Sequence, residues 1–169
     1  MDLNELLIDL FGRVAEHVHE AVLGLDPPTL AIEPEPGTNS IGWLVWHLTR
    51  VEDHHMSEIL DEPQIWMSGD WPARFGVESD PDNTGYGHTP AEMRTIKPDS
   101  GNALTEYYEA VSARTTAMLR RVTADELDRI VDKRWDPPVT LGVRLISIVD
   151  DEIQHAAQAT YARGMIERR

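Results

Sequence analysis

The sequence predicts an all-α fold built from four long helices, and three observations carry the prediction. Apolar residues recur at spacings of three and four in four separate stretches. Capping residues open the first two of these, and clusters of proline and glycine separate them. The helices are expected at about 2–24, 40–60, 103–122 and 141–166. A length of 169 residues suits one domain, 1–169, with a single substantial core.

Helix 1 opens on Asp2 and Glu5, an N-terminal capping pair, and Leu3, Leu7, Leu10, Val14, Val18, Ala21 and Leu25 form its apolar stripe. His17 lies near that stripe. A lone histidine there is more often a satisfied core residue than a ligand, so it stays outside the site. Pro27, Pro28, Pro34, Pro36 and Gly37 then mark an extended connection.

Helix 2 is capped by Asn39 or Ser40 and stops before Pro63. At 100° per residue, Ile41, Leu44, Leu48, Val51, His55 and Ile59 make its stripe, with His47 on the edge. Two histidines, His47 and His55, are therefore expected to point inward, while His54 falls toward solvent.

Residues 61–99 are rich in Pro, Gly, Asp and Trp. A connection of this length either crosses a bundle or covers a site, and here both are expected. It is long enough to return along the bundle, so helices 2 and 3 should run parallel. Trp66, Trp71, Phe75 and Tyr86 offer aromatic surface that suits a pocket wall or an anchor to the core. Thr89, Pro90 and Glu92 announce a short helix inside it.

Helix 3 turns Leu104, Tyr107, Tyr108, Val111, Thr115, Met118 and Leu119 inward, with Arg114 beside that face. An inward arginine wants an anion: a structural carboxylate, such as one from helix 1, or a substrate carboxylate. Thr123 to Glu126 is a capping box that opens a short helix, and Trp135-Asp136-Pro137-Pro138 breaks the chain. In helix 4 the stripe is Leu141, Leu145, Ile148, Ala159, Ala162 and Ile166. His155 falls in its middle, with Asp151 on one flank and Glu152 on the other.

A buried carboxylate costs several kcal/mol unless a cation compensates it, so an acid beside an inward histidine calls for a metal or an arginine. Asp151 and His155, one helical turn apart, project side by side and suit one ion. If helix 2 faces helix 4, His47 joins them. Three N or O ligands with an open position is the pattern of a catalytic metal site. A buried histidine and carboxylate hydrogen-bonded within the core is the plainer alternative.

Composition narrows the rest. With 15 Lys plus Arg against 30 Asp plus Glu, the net charge of −15 opposes broad binding to nucleic acid or anionic membrane, and small molecules are the expected partners. The chain has no cysteine, which excludes thiolate metal sites and a cysteine nucleophile. The acidic N-terminus and the absence of a membrane-length apolar run point to the cytoplasm.

The stretches Ser40 to Val51, Thr84 to Thr89 and His155 to Gly164 resemble those of the DinB-like superfamily, in particular its mycothiol-dependent transferase branch. The resemblance covers nearly the whole chain. It implies a four-helix bundle of up-down-down-up order, a homodimer, and a divalent ion, zinc or nickel. It places His47 and His155 on two ligand positions and Asp151 on a third that varies between His and Glu. Asp is shorter than either, so Glu152 is the alternative carboxylate. Mycothiol is the implied thiol cosubstrate, a small electrophile the other substrate, and S-transfer or thiol-assisted isomerisation the reaction. Trp71, Tyr86 and Arg114 are the candidate cofactor-binding residues. A hydrolase using Glu152 or His55 as base and a non-catalytic metal or ligand-binding bundle are the other readings.

Overall fold

A computed structural model of the chain describes residues 1–168. Four long helices form the body: α1 (Leu3–Val22), α3 (Ile41–Leu60), α6 (Gly101–Leu119) and α7 (Leu141–Ile166). Between them lie three single-turn helices, α2 (Pro27–Leu30), α4 (Trp71–Arg74) and α5 (Pro90–Met93), and two 3-10 turns at Ile65–Met67 and Asp125–Asp128. Each long helix begins where a side chain satisfies a free backbone N–H: Asp2 and Glu5 as a capping box, then Ser40, Ser100 and Thr140. Ser100 caps two residues earlier than the apolar pattern of the third helix suggests.

Helix α3 packs on α6 and α7, and α1 packs on the same two. Asn4, near the start of α1, donates to the carbonyls of Leu119 and Val122 at the end of α6 (2.6 and 2.8 Å). Arg163, near the end of α7, donates to the carbonyls of Glu20 and Leu23 at the end of α1 (2.7 and 2.8 Å). The apolar core fills the ring in two clusters, one around Trp46, Leu48, Leu104 and Tyr107 and one around Met56, Leu119, Leu145 and Ile148.

The first half of α3 departs from the expected single stripe, because every residue from Ile41 to Arg50 is buried. The 61–99 connection covers the face that a two-sided helix would leave to water. It is held there by Asp53, whose Oδ1 accepts from Ile65 N–H (2.9 Å) and Arg114 Nη2 (2.6 Å). Asp53 Oδ2 accepts from Trp66 N–H (2.8 Å), the Tyr107 hydroxyl (2.7 Å) and Arg50 Nη1 (3.4 Å). Arg50 reaches further, donating to the carbonyls of Asn83 and Pro81 and to Gln64 Oε1. The buried charges of Asp53 and Arg50 are thus paired and hydrogen-bonded at every polar atom, the condition under which they are tolerated.

Where a short helix and a chain break were expected after α6, the structure has a 3-10 turn and an antiparallel hairpin, β1 (Ile130–Asp132) with β2 (Val139–Thr140). Among the described residues, no helix is long and apolar enough to cross a membrane.

Candidate metal centre and cleft

His47 on α3 and Asp151 and His155 on α7 meet, their ligand atoms all within 4.8 Å of one another. The two imidazole rings stand 4.8 Å apart at 74°. Their side chains are 6 % (His47), 28 % (Asp151) and 19 % (His155) exposed.

The hydrogen bonds behind the rings decide how they present themselves. His47 Nδ1 lies 2.6 Å from the carbonyl of Thr84, and His155 Nδ1 lies 3.0 Å from Gln158 Oε1. Both partners accept, so both Nδ1 atoms carry the proton and both Nε2 atoms present lone pairs. Those lone pairs face one oxygen, Asp151 Oδ1, at 3.9 and 3.5 Å. Asp151 Oδ2 is buried and has no hydrogen-bond partner among the described residues. Two imidazole acceptors converging on one carboxylate oxygen without a donor between them, with the other oxygen of that carboxylate buried and unpartnered among the described residues, fit a divalent cation with the outer hydrogen bonds that such ligands need.

A second group, His54, His55 and Glu58, passes the same distance criterion and fails the chemical one. Arg144 Nη1 donates to His55 Nε2 (3.3 Å), and Gln64 Nε2 donates to His54 Nδ1 (3.2 Å), while Gln64 Oε1 is engaged by Arg50. The outer nitrogens therefore hold the lone pairs and the protons point in toward Glu58. Arg134 Nη2 completes the cage around that carboxylate, at 2.9 Å from Oε1. These histidines are donors to an anion. Burial first, then the charge of Arg144 and the neighbouring His54, holds the His55 pKa down to about 4.

Electrostatics separate the two candidate histidine ligands. Burial holds the His47 pKa below the usual imidazole value. Burial also acts to lower that of His155, but the hydrogen bond and charge of Asp151, with Gln158, outweigh it and raise the value.

His47 is fixed on its other faces as well. Trp43 stacks on it, centroids 4.6 Å apart at 10°, and Trp43 Nε1 donates to His88 Nδ1 (3.2 Å). His88 Nε2 then donates to Asn83 Oδ1 (2.9 Å). At Gly85 the backbone has φ +89°, and a Cβ there would sit 2.8 Å from His47 Nδ1 and 2.9 Å from Trp46. Only glycine allows the Thr84 carbonyl to be brought against the ring.

The centre opens on a cleft of about 630 Å³, lined among others by His47, Asp151, His54, His55, Thr84, Tyr86, Arg134, Trp135 and Arg144. Tyr86 is on its wall, 92 % exposed. Trp71 and Arg114 are not among its lining residues. Trp71 packs on Tyr107, centroids 5.2 Å apart, under the guanidinium of Arg74. Arg114 takes the structural option, but its carboxylate, Asp53, comes from α3 and not from helix 1. His17 is exposed.

Glu152 and Glu52 are fully buried, and neither oxygen of Glu152 has a hydrogen-bond donor among the described residues. Burial foremost raises both carboxyl pKa values; the proximity of Glu52 adds to the effect on Glu152, whose value lies well above the ordinary one, while Glu152 and Thr115 act against it at Glu52. Burial without a donor favours the protonated form of Glu152. Glu152 thus faces into the bundle and leaves Asp151 as the carboxylate of the triad.

Sequence reasoning did not single out Glu52, Asp132, Arg134 or Arg144, and Gln158 stood in the His155 to Gly164 stretch without a role. Thr84, Gly85 and His88 did stand in a quoted stretch, without a role.

Fold and site together define a DinB-like helical bundle with a candidate His-Asp-His metal centre at the base of an open cleft. A family model described as mycothiol S-transferase matches residues 6–168, and the chain belongs to that family. Among solved structures, the chain is similar to a conserved protein from Enterococcus faecalis, at 28% identity and a TM-score of 0.90 over 100% of this chain and 99% of that one. No curated protein matches the chain.

Proposed function

We propose that the protein is a divalent-metal-dependent transferase that joins a low-molecular-weight thiol, mycothiol, to a small electrophile. The observation that carries this is the pair of Nε2 lone pairs aimed at one oxygen of Asp151 on the floor of an open cleft. His47, Asp151 and His155 would hold the ion, zinc or nickel. A divalent ion there supplies the positive charge that makes a thiol available as thiolate at neutral pH, which suits a chain without cysteine. Thr84 and Gln158 keep the imidazoles in the required tautomer, and Trp43 and Trp46 exclude water from behind His47. Tyr86 stands where the second substrate enters.

The hydrolase reading needs a base beside the ion. Glu152 faces Glu52 inside the bundle, and His55 is engaged by Arg144 and Glu58, so the geometry favours the thiol. The same reading includes a cytoplasmic location, where thiols are kept reduced, and an up-down-down-up helix order, supported by the Asn4 and Arg163 contacts. It also includes a homodimer, for which α7 offers an exposed apolar stripe of Val143, Ile146, Ile153 and Tyr161.

Elemental analysis of the purified protein, followed by conjugation assays with mycothiol and glutathione, tests the proposal. Turnover must require both metal and added thiol, and must prefer mycothiol. Metal-dependent turnover without thiol would instead establish bound water as nucleophile. A metal enclosed by four protein ligands, with no turnover, would leave a structural centre.

A further inference from the structure

The cleft also holds a basic group to which the proposed function gives no part. Besides the candidate ligands His47 and Asp151, Arg134, Trp135 and Arg144 line it together with His54 and His55. In a chain with twice as many acids as bases, two guanidiniums in one cleft stand out. They are held there by a buried anion. Asp132, on β1, has a side chain only 3 % exposed, and its Oδ1 accepts from Arg134 Nε (2.8 Å). Its Oδ2 accepts from Arg134 Nη2 (2.9 Å) and Arg144 Nη2 (2.7 Å). One buried carboxylate thus orients two planar forks.

The forks are not saturated. Arg134 Nη1 and Arg144 Nε have no hydrogen-bond partner among the described residues, whereas every other guanidinium nitrogen of the two is bonded. Beside them Trp135 is 65 % exposed, and Tyr86 stands exposed on the same cleft. Large aromatic surfaces left open in a concave site are places where a flat ligand is covered.

We propose that Arg134 and Arg144 bind the carboxylate of an electrophile whose frame is flat, unsaturated or aromatic, and that Trp135 and Tyr86 cover that frame. This rests on the thiol-transfer reading only for calling the ligand an electrophile; the carboxylate site stands on its own residues. Asp132 and Glu58 balance the two arginines, and Asp82 adds a negative charge to the wall, so long-range attraction is not what recruits the anion. Recognition lies in donors at fixed positions. Lysine, which keeps the charge but not the fork, should therefore fail to replace Arg134.

The test uses the protein stripped of metal by a chelator, so that coordination cannot contribute, and follows tryptophan fluorescence. The probes are 4-nitrobenzoate and its uncharged counterpart 4-nitrobenzamide. The benzoate should bind about tenfold or more tighter than the amide, the worth of a charge-assisted hydrogen bond. Arg134→Gln and Arg134→Lys should each abolish that preference. Each variant, and Arg144→Gln, which should act alike, takes donors from the buried Asp132, so thermal unfolding first shows which are intact, Arg134→Lys being the mildest of them. Equal binding of the two probes, or a preference that survives both Arg134 variants, overturns the proposal. So does a preference that appears only once metal is restored, which places the carboxylate on the ion. Loss of metal binding or of turnover in the assays above would sink the transferase reading and leave this result standing.

Discussion

Single residues set the chemistry by choosing which nitrogen carries a proton and which carboxyl carries a charge. The Thr84 carbonyl reaches His47 only because Gly85 has no side chain. Gly85→Ala should therefore destabilise the protein by roughly 1–3 kcal/mol more than Gly87→Ala, through overpacking against His47 and Trp46. Gly87 is the matched control, since its φ is +75° but nothing among the described residues lies within 4 Å of its Cβ position. Denaturant unfolding of both variants and their metal content would decide, and equal losses would remove the clash from the account. The buried carboxyl pair gives a pH-dependent outcome. Glu152 in the folded state titrates above its ordinary 4.5, so the folded protein binds more protons than the unfolded chain. Its contribution is fully present at acid pH and is lost as pH rises from 4.5 through the raised folded value. Each unit of that displacement is worth about 1.4 kcal/mol. Glu152→Gln keeps the shape and a donor without needing the proton. Its stability relative to the parent should climb between pH 5 and 8, measured by urea unfolding on metal-free protein. A difference that is flat or falls with pH would mean that no proton is held there.

At the scale of elements, the latch on the 61–99 connection is Asp53, which binds two backbone amides of that segment and two arginines. Asp53→Ala strands Arg50 and Arg114 as uncompensated charges, and breaking a buried pair in this way costs about 3–5 kcal/mol. Thermal unfolding and proteolysis should show both a lower midpoint and new cleavage within 61–99; a variant with an intact, protease-resistant segment would show that the latch lies elsewhere. Nothing in the periodicity of α3 marks Asp53 as more than a surface acid. A helical wheel says which face a residue shares, but the polar face here is covered by a distant segment, and wheels carry no information on that. The four long helices were legible because caps and apolar spacing are local signals, written at Asp2, Ser40 and the α7 stripe. The hairpin was not, because β1 and β2 are too short to show alternation and Trp135-Asp136-Pro137-Pro138 reads as a break. His47, Asp151 and His155 could be picked from their places on facing stripes. Arg134 and Arg144 could not, since their common partner Asp132 belongs to the illegible hairpin.

For the whole molecule, the centre ties α3 to α7, two elements far apart in sequence, so metal bound only by the folded state stabilises all of it. At a free ion concentration a thousandfold above Kd the gain is about 4.1 kcal/mol. For a chain of this size that corresponds to a rise in Tm on the order of 10 °C. The rise should shrink as the medium is acidified, because protons compete for the same imidazole lone pairs. His155, whose pKa Asp151 raises, is the first of the two to be lost, and His47, held low by burial, the second. Thermal scans with zinc and nickel on the parent, His47→Ala, His155→Ala and the double variant His54→Ala/His55→Ala separate the two histidine groups. Asp151→Ala should reduce the rise far more than Glu152→Ala, since Glu152 faces Glu52. The rise should vanish in the His47 and His155 variants and persist in the His54/His55 variant, because in that second group donors occupy the outer nitrogens and the inner protons are committed to Glu58. The opposite pattern would move the ion to the His54, His55 and Glu58 group and show that hydrogen-bond polarity does not choose between the two.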